Sequence, residues 1–168
     1  MADSVDGKRP VTVLAGPYGH PFHPILVTVP IGAWVCAFVF DVVSRLSDDP
    51  AVFTRGAYWL IAIGVVGALV AAVFGLLDLL AIPVGTRAFR TALVHMALNL
   101  GVVAIFAVAF LLRGDDLEAD DGTPAGLIAL SAAALALLGM SGWLGGRLTY
   151  RFGVRVADET TQRHGTSH

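Results

Sequence analysis

Charge is scarce in this 168-residue chain: 14% of residues are charged and 56% hydrophobic, with a mean hydropathy of +0.75. Soluble domains carry about 25% charged residues, so a water-soluble fold is excluded and the length suits one membrane domain. Cysteine is nearly absent. Cys36 stands alone, which rules out an intrachain disulfide framework and any Cys-based zinc or iron–sulfur centre. Positive charge is not in excess either, the formal net charge being −2, so there is no electrostatic footprint for nucleic acid. Residues Met1 to Gly16 lack the apolar run of a secretion signal, and the N-terminal segment is expected to stay on the protein. Also missing are Gly-x-Ser-x-Gly, His-Glu-x-x-His, P-loop and dinucleotide fingerprints, and Ser131 and Ser141 are expected to have no base beside them, which disfavours hydrolytic chemistry.

What the sequence does contain is four long apolar stretches, from about Pro24 to Ser44, Gly56 to Ala81, Thr91 to Leu112 and Pro124 to Leu148. Each reaches the roughly 20 residues a helix needs to cross ~30 Å of hydrocarbon. Unpaired backbone groups are intolerable in lipid, and no alternating barrel strands occur, so these stretches are expected to be helices. The breaks are short and carry Pro, Gly and Asp turn signals at 47–50, 82–85 and 113–124, making successive helices antiparallel. The expected fold class is therefore all-α, an integral membrane four-helix bundle running up-down-up-down. An N-terminal segment with an interfacial loop (1–23), a transmembrane domain (24–156) and a flexible tail (157–168) make up the expected domain layout, and His164 and His168 in the tail are given no role.

Orientation follows from the basic residues, because Lys and Arg near span ends stay cytoplasmic. The face that receives both termini collects Lys8, Arg9, Arg87, Arg90, Arg147, Arg151, Arg155 and Arg163, eight in all, against Arg45, Arg55 and Arg113 on the other. Both termini are accordingly expected in the cytoplasm, with a multi-pass protein in a bacterial inner membrane. The acidic run at 115–121 reads as a solvated outer loop. Small residues recur at helical spacing: Gly64, Gly67, Ala71 and Gly75 in the second span, and Gly139, Gly142 and Gly146 in the fourth. Such stripes let backbones approach in lipid, so the second and fourth helices are expected to pack tightly, with a homodimer through the Gly142–Gly146 pair as the alternative.

Ionisable residues inside a membrane default to a functional reading. Here they gather at the face of the termini. His20 and His23 precede the first span, Asp78 ends the second, His95 and Asn99 share one side of the third as i,i+4 neighbours, and Arg147, Tyr150 and Arg151 close the fourth. The other half offers almost only apolar side chains and Asp41. Both histidines precede a proline, which pushes them toward extended backbone. Pro24 suits a first helical turn, with His23 at or near the cap, and Pro30 is expected to kink the first helix. Arg147 is either an interfacial anchor or the partner of Asp78, since a lone carboxylate in lipid needs pairing or protonation. Cys36 is expected to be buried mid-helix and inert.

The run 20–32 (HPFHPILVTVPIG), with Asp41, Asp78, His95, Asn99 and the late run 145–154 (GGRLTYRFGV), resembles an uncharacterised family of four-span bacterial membrane proteins over about residues 17–156. It is a domain of unknown function with an HPxHP opening, and some of its members are fused to a Rieske iron–sulfur domain. The resemblance implies redox company but no established activity. This chain has no Rieske cysteines, so an electron-transfer partner would be a separate polypeptide.

Three readings of the polar pole remain. A four-helix bundle can hold haem b between facing helices, with His95 as one axial ligand and His23 or His20 as the other. A transition-metal site can be drawn from His20, His23, His95 and Asp78 with Asn99 behind them. Or the His, Asp, Asn and Arg side chains, Arg147 and Tyr150 among them, form a hydrogen-bonded lock that fixes helix register in an accessory subunit. Interhelical bonds in membranes average only ~0.6 kcal/mol, but several together can select one packing.

Overall fold

The computed structural model describes residues 7–114 and 121–166. Among them every regular element is helical: α1 (His23–Leu26), α2 (Thr28–Ser44), α3 (Pro50–Leu80), α4 (Arg87–Arg113), α5 (Ala125–Gly146) and α6 (Glu159–Thr166), with a 3₁₀ turn at Val13–Ala15 and a π-helical turn at Arg147–Arg151. Four helical segments are long and apolar enough to cross a membrane: His23–Ser44, Pro50–Leu80, Arg87–Arg113 and Ala125–Arg151. Three of them overrun the apolar stretches, because polar residues at their ends continue the helix. Thr86, for example, caps α4 by accepting from the Phe89 N–H at 3.1 Å, which draws Arg87 and Arg90 into the helix.

Proline shapes the first span. α1 and α2 are separated at Val27, close to where the ring of Pro30 crowds the carbonyl four residues back and removes one bond. His23, expected extended before Pro24, is instead the first residue of α1. The first turn needs no N–H partner from Pro24, and a side-chain bond to the second span holds His23 in place.

The first span lies along α3, α5 lies along α4, α4 joins α3, and α5 touches α2. The second and fourth spans are thus diagonal, contrary to the expectation of tight packing between their glycine stripes. The notches of α3 are filled by side chains of the first span. A Cβ on Gly64 would enter the Trp34 indole, one on Gly67 would lie 3.0 Å from Val29, and one on Gly75 would lie 3.0 Å from the His23 ring. In α5, a Cβ on Gly139 or Gly142 would meet nothing within 4 Å among the described residues. Trp34 is the centre of the core, stacked on Phe106 at 4.4 Å with its Nε1–H donating to the Ile61 carbonyl at 3.4 Å. Ala37, Ala57, Val102 and Ala134 close around it. Cys36, expected buried, is exposed on the outer surface of α2. It lies on the outward face of a helix long and apolar enough to cross a membrane.

The terminal segments meet at one end of the bundle, where the Arg155 N–H donates to the Gly7 carbonyl at 2.9 Å. The tail expected to be loose forms α6, capped by Asp158, whose side chain accepts from the Thr161 N–H at 2.8 Å. Of the acidic run 115–121 expected as a solvated loop, 115–120 lie outside the described residues, as does His168, while Asp121 is exposed.

Candidate functional site

Two polar clusters occupy the bundle, one at each end. At the end of the termini, α1 and α4 bring His23 and His95 together with ring centroids 6.4 Å apart and ring planes at 89°. Each ring rests on a glycine of a neighbouring span: a Cβ on Gly145 would lie 3.3 Å from His95, the counterpart of Gly75 beneath His23. Each Nδ1 is tied to a backbone carbonyl, His23 to Ala71 at 2.9 Å and His95 to Ser141 at 2.8 Å. A carbonyl only accepts, so each ring carries a proton on Nδ1, and the neutral form of either ring has its lone pair on Nε2.

From there the two histidines differ. His95 Nε2 accepts from the Asn99 amide at 3.1 Å, so both of its nitrogens are engaged by protein. No described residue hydrogen-bonds His23 Nε2, and the Asp78 carboxylate lies within electrostatic reach of the ring. Ser141, expected without a base, sits with its hydroxyl 2.9 Å from His95 Nδ1. That nitrogen is committed as a donor, so it cannot take the serine proton. The hydroxyl instead donates to the His95 carbonyl at 3.2 Å, an interhelical tie rather than a nucleophile and its base.

Asp78 pairs with Arg155, not with Arg147: Arg155 Nε lies 2.8 Å from Asp78 Oδ1, with both side chains largely shielded. Arg155 holds a left-handed backbone, φ 59°, uncommon for a non-glycine residue. Its Nη2 donates to the carbonyls of Ala15 and Gly16, both at 3.0 Å. The strained backbone is held because one side chain joins the N-terminal segment, α3 and the C-terminal segment. Arg147 lies instead over Trp143, 5.0 Å from its ring centre, and over Phe152 at 5.8 Å. Tyr150 is 91% exposed and takes no part. His20 follows a turn closed by its own N–H to the Pro17 carbonyl at 3.0 Å, and is exposed. Among the described residues no three His, Cys, Asp or Glu side chains form a metal-ligating group, so the four-ligand set of His20, His23, His95 and Asp78 is not assembled.

The other cluster was missed by sequence reasoning. Arg113 at the end of α4 clasps Asp41 of α2 with two bonds, 2.9 and 2.8 Å, and also donates to Ser131 of α5 at 3.2 Å. Thr123 donates to the same carboxylate at 3.0 Å, while its N–H reaches Ser44 at 2.9 Å. Asp41 is fully buried and Arg113 nearly so. The signal was available: an acid inside the first span needs a partner, and Arg113 ends the third span on the same side.

The arrangement is that of a multi-pass helical membrane protein pinned by polar clusters at both ends. Residues 19–158 match the family described as "Predicted membrane protein (DUF2231)", and the chain belongs to it. No curated protein and no solved structure matches the chain.

Proposed function

We propose that this protein is a non-hydrolytic accessory component of a bacterial inner membrane, oriented with both termini in the cytoplasm, whose His95–Asn99–Ser141 cluster locks the third and fourth spans in register. The observation that carries this reading is that both nitrogens of His95 are satisfied by protein groups. A ring so committed contributes interhelical bonds instead of an open ligand position. In this reading His95→Ala in mild detergent still assembles but melts lower, and the purified protein is colourless and metal-free before and after substitution. An unchanged melting temperature would remove the lock.

A second reading is favoured by His23. Its Nδ1–H is fixed by the Ala71 carbonyl, the outer-shell tie common to metal-ligating histidines, and its Nε2 remains available beside His95. Here the pole holds haem b or a transition metal and works beside a membrane redox protein. With Asn99 swung away, both Nε2 atoms are free to ligate. Oxidised and reduced visible spectra together with metal assay separate the two readings: a reduced-state Soret and alpha band lost in both His23→Ala and His95→Ala supports haem, and stoichiometric metal without those bands supports the metal. The open notches at Gly139 and Gly142 support a second copy of the chain as a further partner.

A further inference from the structure

We propose that the π-helical turn at the end of the fourth span seats the phosphate of an anionic phospholipid, with Arg147 as its principal ligand and Arg151 beside it.

Arg147 differs from the two other arginines that are not exposed: Arg113 has Asp41 and Arg155 has Asp78. Arg147 is half-buried, its Nε is shielded from solvent, and no acceptor meets that atom among the described residues. A guanidinium has five N–H donors in a planar fork. The guanidinium lies over the rings of Trp143 and Phe152, which attract the cation but supply no negative charge and no oxygen acceptor for the fork. A buried donor without a partner calls for one, and a fork of this geometry matches a phosphate in two-point contact.

The turn itself gathers the charge. Its widened backbone, with the Phe152 N–H donating to the Arg147 carbonyl at 3.1 Å, sets Arg147 and exposed Arg151 one turn apart on neighbouring parts of the surface. Gly153, at φ 68°, ends the turn, and a Cβ there would lie 3.9 Å from Lys8 Nζ, so the Lys8 ammonium adjoins it. Next to the turn an open groove of about 440 Å³ is lined by Lys8, Thr149, Tyr150, Arg151, Phe152 and Glu159. That room suits a headgroup carrying hydroxyls.

The phosphate is assigned to a lipid and not to a free anion because of what borders the seat. Trp143 is 65% exposed and Met140, one turn back, 59%. Both belong to the apolar outer surface of the fourth span, so the seat lies where hydrocarbon meets headgroups and is open on the side from which acyl chains approach. Tryptophan at that level and basic residues beside it are the usual marks of headgroup contact.

The test uses the full chain in mild detergent, with native mass spectrometry and thermal unfolding in the presence of phosphatidylglycerol or phosphatidylcholine. The expected result is selective retention of phosphatidylglycerol and a melting temperature raised by it alone. Arg147→Gln is expected to bind it about tenfold more weakly, with Arg147→Lys between the two because an ammonium offers a point charge and no fork. Arg151→Gln changes an exposed side chain, so it keeps the fold and is also expected to weaken retention, which preserves the test if Arg147→Gln fails to assemble. Equal retention of both lipids, or full retention of phosphatidylglycerol by the arginine variants, would overturn the proposal. So would protection by inorganic phosphate equal to that by the lipid, which would assign the seat to a free anion.

Discussion

Asp41 and Arg113 form the ion pair most completely removed from solvent, ahead of Asp78 and Arg155, and their value lies in being paired. Breaking a buried pair leaves one charge uncompensated, at a cost of about 3–5 kcal/mol in soluble proteins, while replacing both partners by apolar groups is often nearly neutral. The two single substitutions are not equivalent. Asp41→Leu strands a guanidinium that cannot lose its proton, whereas Arg113→Leu strands a carboxyl that can be protonated. Thermal unfolding in detergent is therefore expected to rank Asp41→Leu below Arg113→Leu, with the double variant Asp41→Leu/Arg113→Met recovering most of the loss; a double variant less stable than either single one would contradict this account. Glycine offers a second contrast. Gly64→Ala drives a methyl group into the Trp34 indole and is expected to destabilise by about 1–3 kcal/mol, while Gly139→Ala, with nothing within 4 Å, is expected to leave the melting temperature unchanged; similar shifts in both would mean that the Trp34 notch is not a close fit. At this scale the sequence was legible in part. Histidines at 23 and 95 could be assigned to one end of the bundle because span direction fixes depth. The partner of Asp78 could not, because Arg155 lies beyond the span and reaches back through a left-handed backbone that residue type does not announce.

The helices were legible as elements and illegible as neighbours, for one reason. A helix that is apolar all round carries no stripe to show which face meets protein and which meets lipid, and small residues mark close approach without naming what approaches. In α3 the glycine notches receive side chains of the first span, while the open part of the α5 stripe receives nothing from the described residues. Element ends were clearer in type than in position, since capping by Thr86 and Asp158 carries helices into polar sequence. α6 offers a test of such a cap. The Asp158 carboxyl is held below the ordinary carboxylate range chiefly by the Thr161 backbone N–H, then by the Thr161 and Tyr18 hydroxyls. A carboxyl whose pKa falls on folding stabilises the folded form above its unfolded pKa, and that contribution is lost as pH falls through the lowered value. α6 is thus expected to keep its Thr161 amide protected from hydrogen exchange at neutral pH and to lose that protection on acidification, with Asp158→Ala unprotected throughout. Protection in Asp158→Ala equal to that of the native chain would show that the carboxylate is not the cap.

As a whole the molecule has a polar cluster at either end and a core of small and aromatic side chains between them, which is a consequence of its solvent. Lipid gives helices no hydrophobic reason to associate, so close packing and interhelical hydrogen bonds must hold them. The cluster of His95, Asn99 and Ser141 ties the third span to the fourth, and that of Asp41, Arg113, Ser131 and Thr123 ties first, third and fourth. Both terminal segments meet at the histidine end through Arg155, so one experiment orients every cluster at once. By the eight-to-three split of basic residues, that end is expected in the cytoplasm. Single cysteines placed at Gly85, in the turn before α4, and at Asp121, both exposed, are to be introduced into a Cys36→Ala background and treated in intact cells with a membrane-impermeant maleimide. The expected outcome is labelling at 121 from outside and labelling at 85 only after the cells are opened. The reverse pattern would put the histidine pair and the arginine-rich turn on the outer face.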